Sequence, residues 1–423
     1  MPNDLPISRR HLIAAGTAGV ATLALAQELP PPTPTDTGKT TDGKIQFPSW
    51  TAPTERPTGG PPDPMPVDKR VGFAVVALGR LSLENILPAF GQSKKARPVA
   101  LVSGSPDKAK TVAAQYGIQP EAIYGYERFE DIRNNPDIQA VYIVLPNAMH
   151  KEFVLRAAKA GKHVLCEKPM ATSSADAKQM VEGCRAAERL LMIAYRCQYE
   201  PYNRKVISFL RDGKYGTPKL IRAVNVQNMA APEQWRLKKK MAGGGSLPDV
   251  GIYCLNAARY LTGEEPVEVY AQIASTPNDP RFREVEETVS FSLRFGSGII
   301  ADCSTSYGMH ESRYLHVHTD AGTLQLENAF AYEGQQLRVS HRADKAESID
   351  QIRLSQKHQF ALEMDHMADC ILTGRKPHTP GEEGVQDHVV MEAIYRSAAT
   401  NRPVSLPKVE GKDVTRGPAP EES

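Results

Sequence analysis

The stretch HVLCEKPMAT, residues 163–172, ends an apolar run in an acid, a base and a proline: Glu167, Lys168 and Pro169. A lysine at the end of a buried strand is partly desolvated. Its cation can stabilise a developing alkoxide or polarise a carbonyl while a hydride moves. The proline fixes the backbone that carries the lysine and permits a cis Lys–Pro bond. Glu167 can accept hydrogen bonds from neighbours or from a cofactor amide. A second group lies in GGGSLPDVGIYCLNAARYLTG, residues 243–263, where three glycines precede a helical pattern. Asp249 and Tyr253 stand four apart there and share a helical face. Lysine, carboxylate and phenol form an acid–base set. Tyr253 exchanges the proton of an alcohol or carbonyl, with the Lys168 cation favouring its ionised form, and Asp249 orients the substrate. Each residue also has a plain structural use: a solvated strand end, a helix cap and a core aromatic.

A hydride needs a carrier, and the chain shows where one would bind. The apolar run RVGFAVVAL leads into ALGRLS, residues 77–82. A dinucleotide turn uses G-x-G-x-x-G for its tight bend, its close backbone approach to pyrophosphate and its helix packing. Only Gly79 keeps its glycine; Ala77 and Ser82 are small substitutes, with Arg80 and Leu81 between them. The helix N-terminus still offers backbone N–H groups to a pyrophosphate. The next strand ends in VSGSPDK. An NAD site places an acid near Ser103; a hydroxyl there, with Lys108 one helical turn on, suits the 2′-phosphate of NADP. The alternative is that Ser103 caps the turn and Lys108 is solvated. LPNAMH, residues 145–150, sets Leu145, Asn147 and His150 at the carboxyl end of a later strand, bordering the cofactor. Asn147 could equally cap the helix that follows.

Short apolar strands alternate with helices as far as Tyr195, which predicts a parallel sheet with helices on both faces. Lys168 then ends its fifth strand. Beyond Tyr195 long alternating runs such as KLIRAVNVQN, VEVYAQIAST and ETVSFSLRFG predict a mostly antiparallel sheet with one side facing water or a partner. Turns fall at 296–298 and 320–322, and helices return at 359–373 and 382–400.

The chain has 423 residues and a net charge of +2, with no basic field to attract nucleic acid. Hydrophobic residues make up 41 %, and no apolar run is long enough for a mature membrane span. SRRHLI followed by AAGTAGVATLALA reads as a twin-arginine export signal ending near Ala26, with an ordinary secretion signal as the alternative. That route predicts a periplasmic protein exported folded, with its cofactor already bound. The Pro- and Thr-rich stretch after it cannot fold a core of its own and favours extended chain. It is either a tether or an arm laid on another subunit, with Phe47 and Trp50 as anchors. The six cysteines show no metal-ligand spacing and read as buried free thiols. The resulting division is 1–26 signal, 27–68 arm, 69–197 nucleotide-binding domain, 198–407 substrate and oligomerisation domain, and 408–423 tail.

CEKP after the nucleotide-binding pattern, LPNAMH, AYRCQYEP and GGGSLPDVGIYCLNAARYLTGEEP together resemble the Gfo/Idh/MocA oxidoreductase family over nearly the whole chain. The resemblance implies an α/β protein: an N-terminal Rossmann doubly wound parallel sheet, and a C-terminal α+β domain whose large, mostly antiparallel open sheet pairs subunits into a dimer or tetramer. It implies catalytic roles for Lys168, Asp249 and Tyr253, and places Ser103 and Lys108 near the 2′-phosphate. It puts Glu167, Lys168 and Arg196 on the cofactor side. Tyr253 stands where many relatives carry histidine, which points to the sugar-oxidoreductase branch. The expectation is a periplasmic oxidoreductase with tightly bound NADP that oxidises an aldose to its lactone and passes the hydride to a second sugar or carbonyl. A dissociable sugar dehydrogenase, a non-catalytic sugar-binding module and a redox-neutral glycoside-cleaving branch are the alternatives.

Overall fold

A computed structural model describes residues 38–47 and 63–420. The arginine pair, the segment read as an export signal and Trp50 lie outside the described residues. Residues 38–47 form a unit of their own, a hairpin of Lys39–Thr41 against Lys44–Gln46. Asp42 and Gly43 at its tip take φ of 50° and 76°, the mirror-image turn that an Asp-Gly pair supplies. Composition predicted only extended chain here; the Asp-Gly signal is local and outweighs it. Phe47 is 47 % exposed.

The larger unit is built on two sheets. The first has six parallel strands: β1 Val71–Val76, β2 Ala96–Val102, β3 Ile123–Tyr124, β4 Ala140–Ile143, β5 His163–Glu167 and β6 Leu191–Ala194. Their order is β3-β2-β1-β4-β5-β6, the doubly wound arrangement. Every residue of β1 is buried, because helices cover both faces and leave no polar side to alternate with. Helices α1 Pro106–Tyr116, α2 Asn147–Lys159 and α3 Ser174–Ala186 make the crossovers. Proline opens α1, and Gly117 at φ 65° closes it in the left-handed conformation.

After α4 Pro201–Arg211 comes a nine-stranded sheet: β7 Pro218–Asn228, β8 Pro266–Ala274, β9 Thr288–Phe295, β10 Ile300–Ser306, β11 Gly308–Thr319, β12 Gly322–Glu327, β13 Gln336–Ala343, β14 Ala346–Ile352 and β15 Val404–Ser405. The order is β14-β13-β12-β11-β7-β10-β9-β8-β15. All pairs are antiparallel except β7 with β10. In β9, Val289, Phe291, Leu293 and Phe295 are buried while Ser290 and Arg294 are exposed, so one face joins the core. Strands β13 and β14 escape the sequence reading: β14 is mostly exposed, and in β13 only Leu337 and Val339 are apolar and buried.

Helix α5 Ile252–Thr262 packs against the second sheet, and α6 Gln359–Thr373 and α7 Gly381–Thr400 return from it to the first. Phe360, Met364 and Met367 of α6 are buried, and the helix meets β1, β2 and β5. Asp365 of α6 accepts from Ser93 Oγ at 2.5 Å and from the Lys95 amide at 2.7 Å. His388 of α7 accepts from the Ala171 amide at 3.0 Å, fixing the chain just beyond Pro169. One continuous core therefore joins the two sheets. All six cysteines are free and buried as expected, and burial pushes Cys184 and Cys370 up to about 12. Among the described residues no helix is long and apolar enough to cross a membrane.

Candidate active site

Lys168 follows directly on β5, and its bond to Pro169 is cis. The ammonium lies 2.7 Å from the Asp249 carbonyl oxygen and 3.1 Å from its carboxylate Oδ1. It also stands 4.7 Å from the centre of the Tyr253 ring. The three residues singled out for acid–base chemistry thus meet, although Lys168 and Asp249 are 81 residues apart in sequence. Asp249 lies in a wide π-helical turn, Leu247–Gly251, that runs into α5. Such turns recur at functional sites because they re-aim side chains. Asp249 is therefore not the helix cap of the alternative reading, and Tyr253 is only half-buried.

Two further residues complete the group. Tyr307 donates to Asp249 Oδ2 at 2.7 Å, and Arg236 Nε approaches the same oxygen at 3.2 Å. Neither was found by sequence reasoning: Arg236 sits in a basic run, EQWRLKKK, that reads as surface, and Tyr307 joins two strands. Burial works against the Asp249 charge, but Lys168, Arg236 and the Tyr307 hydrogen bond hold its carboxyl well below the usual range. Burial likewise opposes the Lys168 charge, and Tyr253, Asp249 and Glu167 overcome it, so its affinity for the proton is raised. The site is a fixed ammonium resting on a carboxylate and facing a phenol ring. It can stabilise negative charge on a substrate oxygen and exchange that oxygen's proton.

The other residues singled out around this group make their hydrogen bonds within the protein. Glu167 turns inward. It is 7 % exposed, and its Oε1 accepts from Tyr142 at 2.9 Å. Arg196 is also inward: it donates to Phe330 O at 2.6 Å and Gln359 Oε1 at 2.5 Å. Its guanidinium lies 4.8 Å from the Tyr253 ring and 4.6 Å from that of Tyr332. Arg196 thus packs its guanidinium against the Tyr253 and Tyr332 rings. Asn147 does not cap its helix; its amide donates to Ala242 O at 2.9 Å. Both ring nitrogens of His150 face backbone carbonyls, Leu145 O at 2.7 Å and Pro169 O at 3.0 Å, of which a neutral ring donates to one. Burial lowers its pKa. Asn147, His150 and Leu145 brace the strand ends.

The nucleotide turn fits the predicted carrier. Ala77 takes φ 77°, a left-handed conformation that costs a non-glycine residue about 1–2 kcal/mol, so the first glycine's geometry is kept without the glycine. Ser82 secures it by donating to Ala77 O at 2.7 Å. A Cβ built on Gly79 meets nothing within 4 Å, and Gly79 is not left-handed. The protein's own packing thus makes no demand for glycine here; the open side of the turn is the space a pyrophosphate fills. Arg80 is solvent-exposed beside Glu84, at 3.6 Å, and Leu81 is half-buried. Ser103 Oγ accepts from the Ser105 amide at 3.1 Å, the turn-capping alternative. Lys108 Nζ reaches to 3.5 Å from Leu78 O, between the first two turns, where an adenosine ribose would lie. We expect Gly79→Val to keep the melting temperature and to weaken NADP binding by more than about tenfold, as a side chain displaces phosphate contacts. Calorimetric titration checks this, and equal affinity for both proteins would remove Gly79 from the nucleotide site.

Comparison with known proteins agrees with this geometry. Residues 71–195 match the family model described as "Oxidoreductase family, NAD-binding Rossmann fold", and residues 203–325 match "GFO/IDH/MocA C-terminal domain". D-xylose 1-dehydrogenase [NADP(+)] of Haloarcula marismortui is 33 % identical over 345 residues, covering 80 % of this chain and 94 % of that protein. D-xylose 1-dehydrogenase (NADP(+)) 2 of Haloferax volcanii is 28 % identical, covering 79 % and 99 %. The crystal structure of aldose-aldose oxidoreductase from Caulobacter crescentus complexed with glycerol is 42 % identical, with a TM-score of 0.77, covering 80 % of this chain and 100 % of that one.

Proposed function

The chain belongs to the GFO/IDH/MocA oxidoreductase family, with an NAD(P)-binding Rossmann domain, and from that premise we propose that it is a sugar oxidoreductase whose acid–base group is Lys168, Asp249 and Tyr253. The observation that carries this reading is the Lys168 ammonium held 3.1 Å from the Asp249 carboxylate and 4.7 Å from the Tyr253 ring. A bound nicotinamide supplies a carbon that accepts and returns hydride. The protein does the rest. Tyr253 takes the proton of the sugar hydroxyl as the hydride leaves the adjoining carbon. Lys168 stabilises the oxygen while it carries negative charge. Asp249, secured by Arg236 and Tyr307, keeps the ammonium protonated and in place. For an aldose the anomeric C–H bond breaks and a lactone forms; one hydride and one proton are removed, so the balance closes without water.

The finer reading is a glucose–fructose oxidoreductase-like cycle in the periplasm. The twin-arginine pattern supports export in the folded state, and Lys108 beside the first turn supports NADP. A secreted enzyme meets little free NADP, so tightly held cofactor must be reoxidised in place. A second sugar or carbonyl then takes the hydride, with Tyr253 returning the proton, in a ping-pong cycle. A 42 % identical relative named for two aldose partners supports such a cycle. The open second sheet supports a homo-oligomer. The test is an absorbance spectrum of the purified protein. We expect nucleotide to travel with it through gel filtration, an aldose such as glucose to raise the reduced-nicotinamide band, and a ketose or aldehyde to reverse it. A protein that purifies empty and turns over only with added NADP is instead a dissociable dehydrogenase.

A further inference from the structure

Beside the catalytic group, three other titratable side chains meet inside the core. Tyr142 Oη lies 2.9 Å from Glu167 Oε1 and 2.8 Å from Glu363 Oε1. They come from β4, the end of β5 and the middle of α6. Tyr142 and Glu363 are wholly buried, and Glu167 is 7 % exposed. A phenol has one proton to donate, so it can serve only one of two carboxylates. Two carboxylates here would repel each other with a single donor between them. One carboxyl must therefore carry a proton of its own.

The surroundings decide which. Glu167 has the Lys168 amide donating to Oε2 at 3.3 Å and the Lys168 charge next to it. Among the described residues Glu363 has no comparable partner: its Oε2 is buried without a hydrogen bond. Arg196 faces both acids, but its guanidinium is bonded to Phe330, Ala331 and Gln359. The remaining titratable neighbours, Cys197 and Tyr199, are neutral groups whose own ionisation burial suppresses. Burial raises Glu167 too, but Lys168, the Tyr142 hydrogen bond and Arg196 oppose it there, whereas burial and the Glu167 charge both push Glu363 well above the carboxylate range.

We propose that Glu363 stands as a neutral carboxylic acid that donates to the Tyr142 oxygen, so that Tyr142 points its own proton at Glu167 and holds Glu167 as the anion adjoining Lys168. Because Glu363 Oε2 is sealed in the core without a partner, the row ends there. It keeps a proton and conducts none. Tyr142 and Glu363 are then positioning residues: they fix the charge and orientation of Glu167, and through it the backbone and field at Lys168. That consequence rests on Lys168 being the catalytic cation.

The test uses the full-length protein as purified. Infrared spectra near neutral pH should show the carbonyl stretch of a protonated carboxyl, persisting into mildly alkaline buffer. The band should vanish in Glu363→Gln and survive in Glu167→Gln. The amide of Glu363→Gln can still donate to Tyr142, so its kcat should stay within about twofold of the wild type, with a superimposable pH profile. Tyr142→Phe, which removes the bridging proton, should lower kcat by about tenfold and shift the acid limb of that profile. Absence of the wild-type band, or a shifted profile in Glu363→Gln, overturns the proposal, because an ionised Glu363 would then have been removed. The band is read without turnover, so its absence leaves the sugar-oxidoreductase reading standing. A wild-type protein that shows the band but ignores sugars strikes that reading alone.

Discussion

Lys168→Met keeps the fold and loses turnover by about two to three orders of magnitude, the usual cost of removing one group aimed at transition-state charge. The fold survives because Asp249 keeps Arg236 at 3.2 Å and Tyr307 at 2.7 Å, so no buried carboxylate is stranded. Methionine is unbranched and adaptable enough to follow the lysine stem. The measurement is the single-turnover rate of cofactor reduction by an aldose, alongside a thermal melt. A rate near the wild type, with the melt unchanged, would take Lys168 out of the mechanism.

That residue was legible in sequence because its neighbours are constrained by type. An apolar run ending in Glu-Lys-Pro has few structural uses, and a carboxylate four residues before a tyrosine fixes their shared face whether the turn is α or π. The glycine turn was legible despite Ala77, since strand, turn and helix follow in order and Ser82 takes over part of the glycines' work through one hydrogen bond. What could not be read is direction. Glu167, Asn147, His150 and Arg196 lie at the strand ends where a cofactor should be, yet their polar atoms turn inward to Tyr142, Ala242, Leu145 and Phe330. Spacing along one strand does not say which distant backbone carbonyl a side chain will meet. Arg236, Tyr307 and Glu363 were missed for the same reason: each gains its meaning only from a residue far away in sequence. Strand β14 was missed because a sheet edge with little burial has no apolar alternation to show, and β13 because its alternation is confined to Leu337 and Val339.

Arg259→Met should destabilise the protein by about 3–5 kcal/mol, the cost of removing one partner from a buried ion network. Arg259 is wholly buried on α5. It donates to Glu265 at 2.7 and 2.8 Å, to Glu383 at 3.0 Å and to Asp387 at 2.5 Å. Without it Glu265, Glu383 and Asp387 share a dry pocket, with Arg416, 2.8 Å from Glu383, as the remaining guanidinium. Burial already pushes Asp387 up to about 6 against the pull of Arg259. Glu383 is held well below its usual range in spite of burial, by Arg259 and Arg416. The network joins α5 to α7, and so the second sheet to the helices that return to the first. Denaturant unfolding measures the effect; a loss under about 1 kcal/mol would mean that water or a rearranged Arg416 replaces the missing charge.

Because α6 and α7 come late in the chain but pack on the first sheet, the nucleotide-binding half cannot finish folding as it leaves the ribosome. Strands β1 to β6 emerge early. Phe360, Met364 and Met367, which bury against them, are made near the end. Until then an apolar surface of that sheet waits uncovered, the kind of exposure that invites aggregation or chaperone capture. Nucleotide capture is accordingly an event of the completed chain. A transport route that threads the polypeptide as it is synthesised would carry a form that cannot yet hold its cofactor.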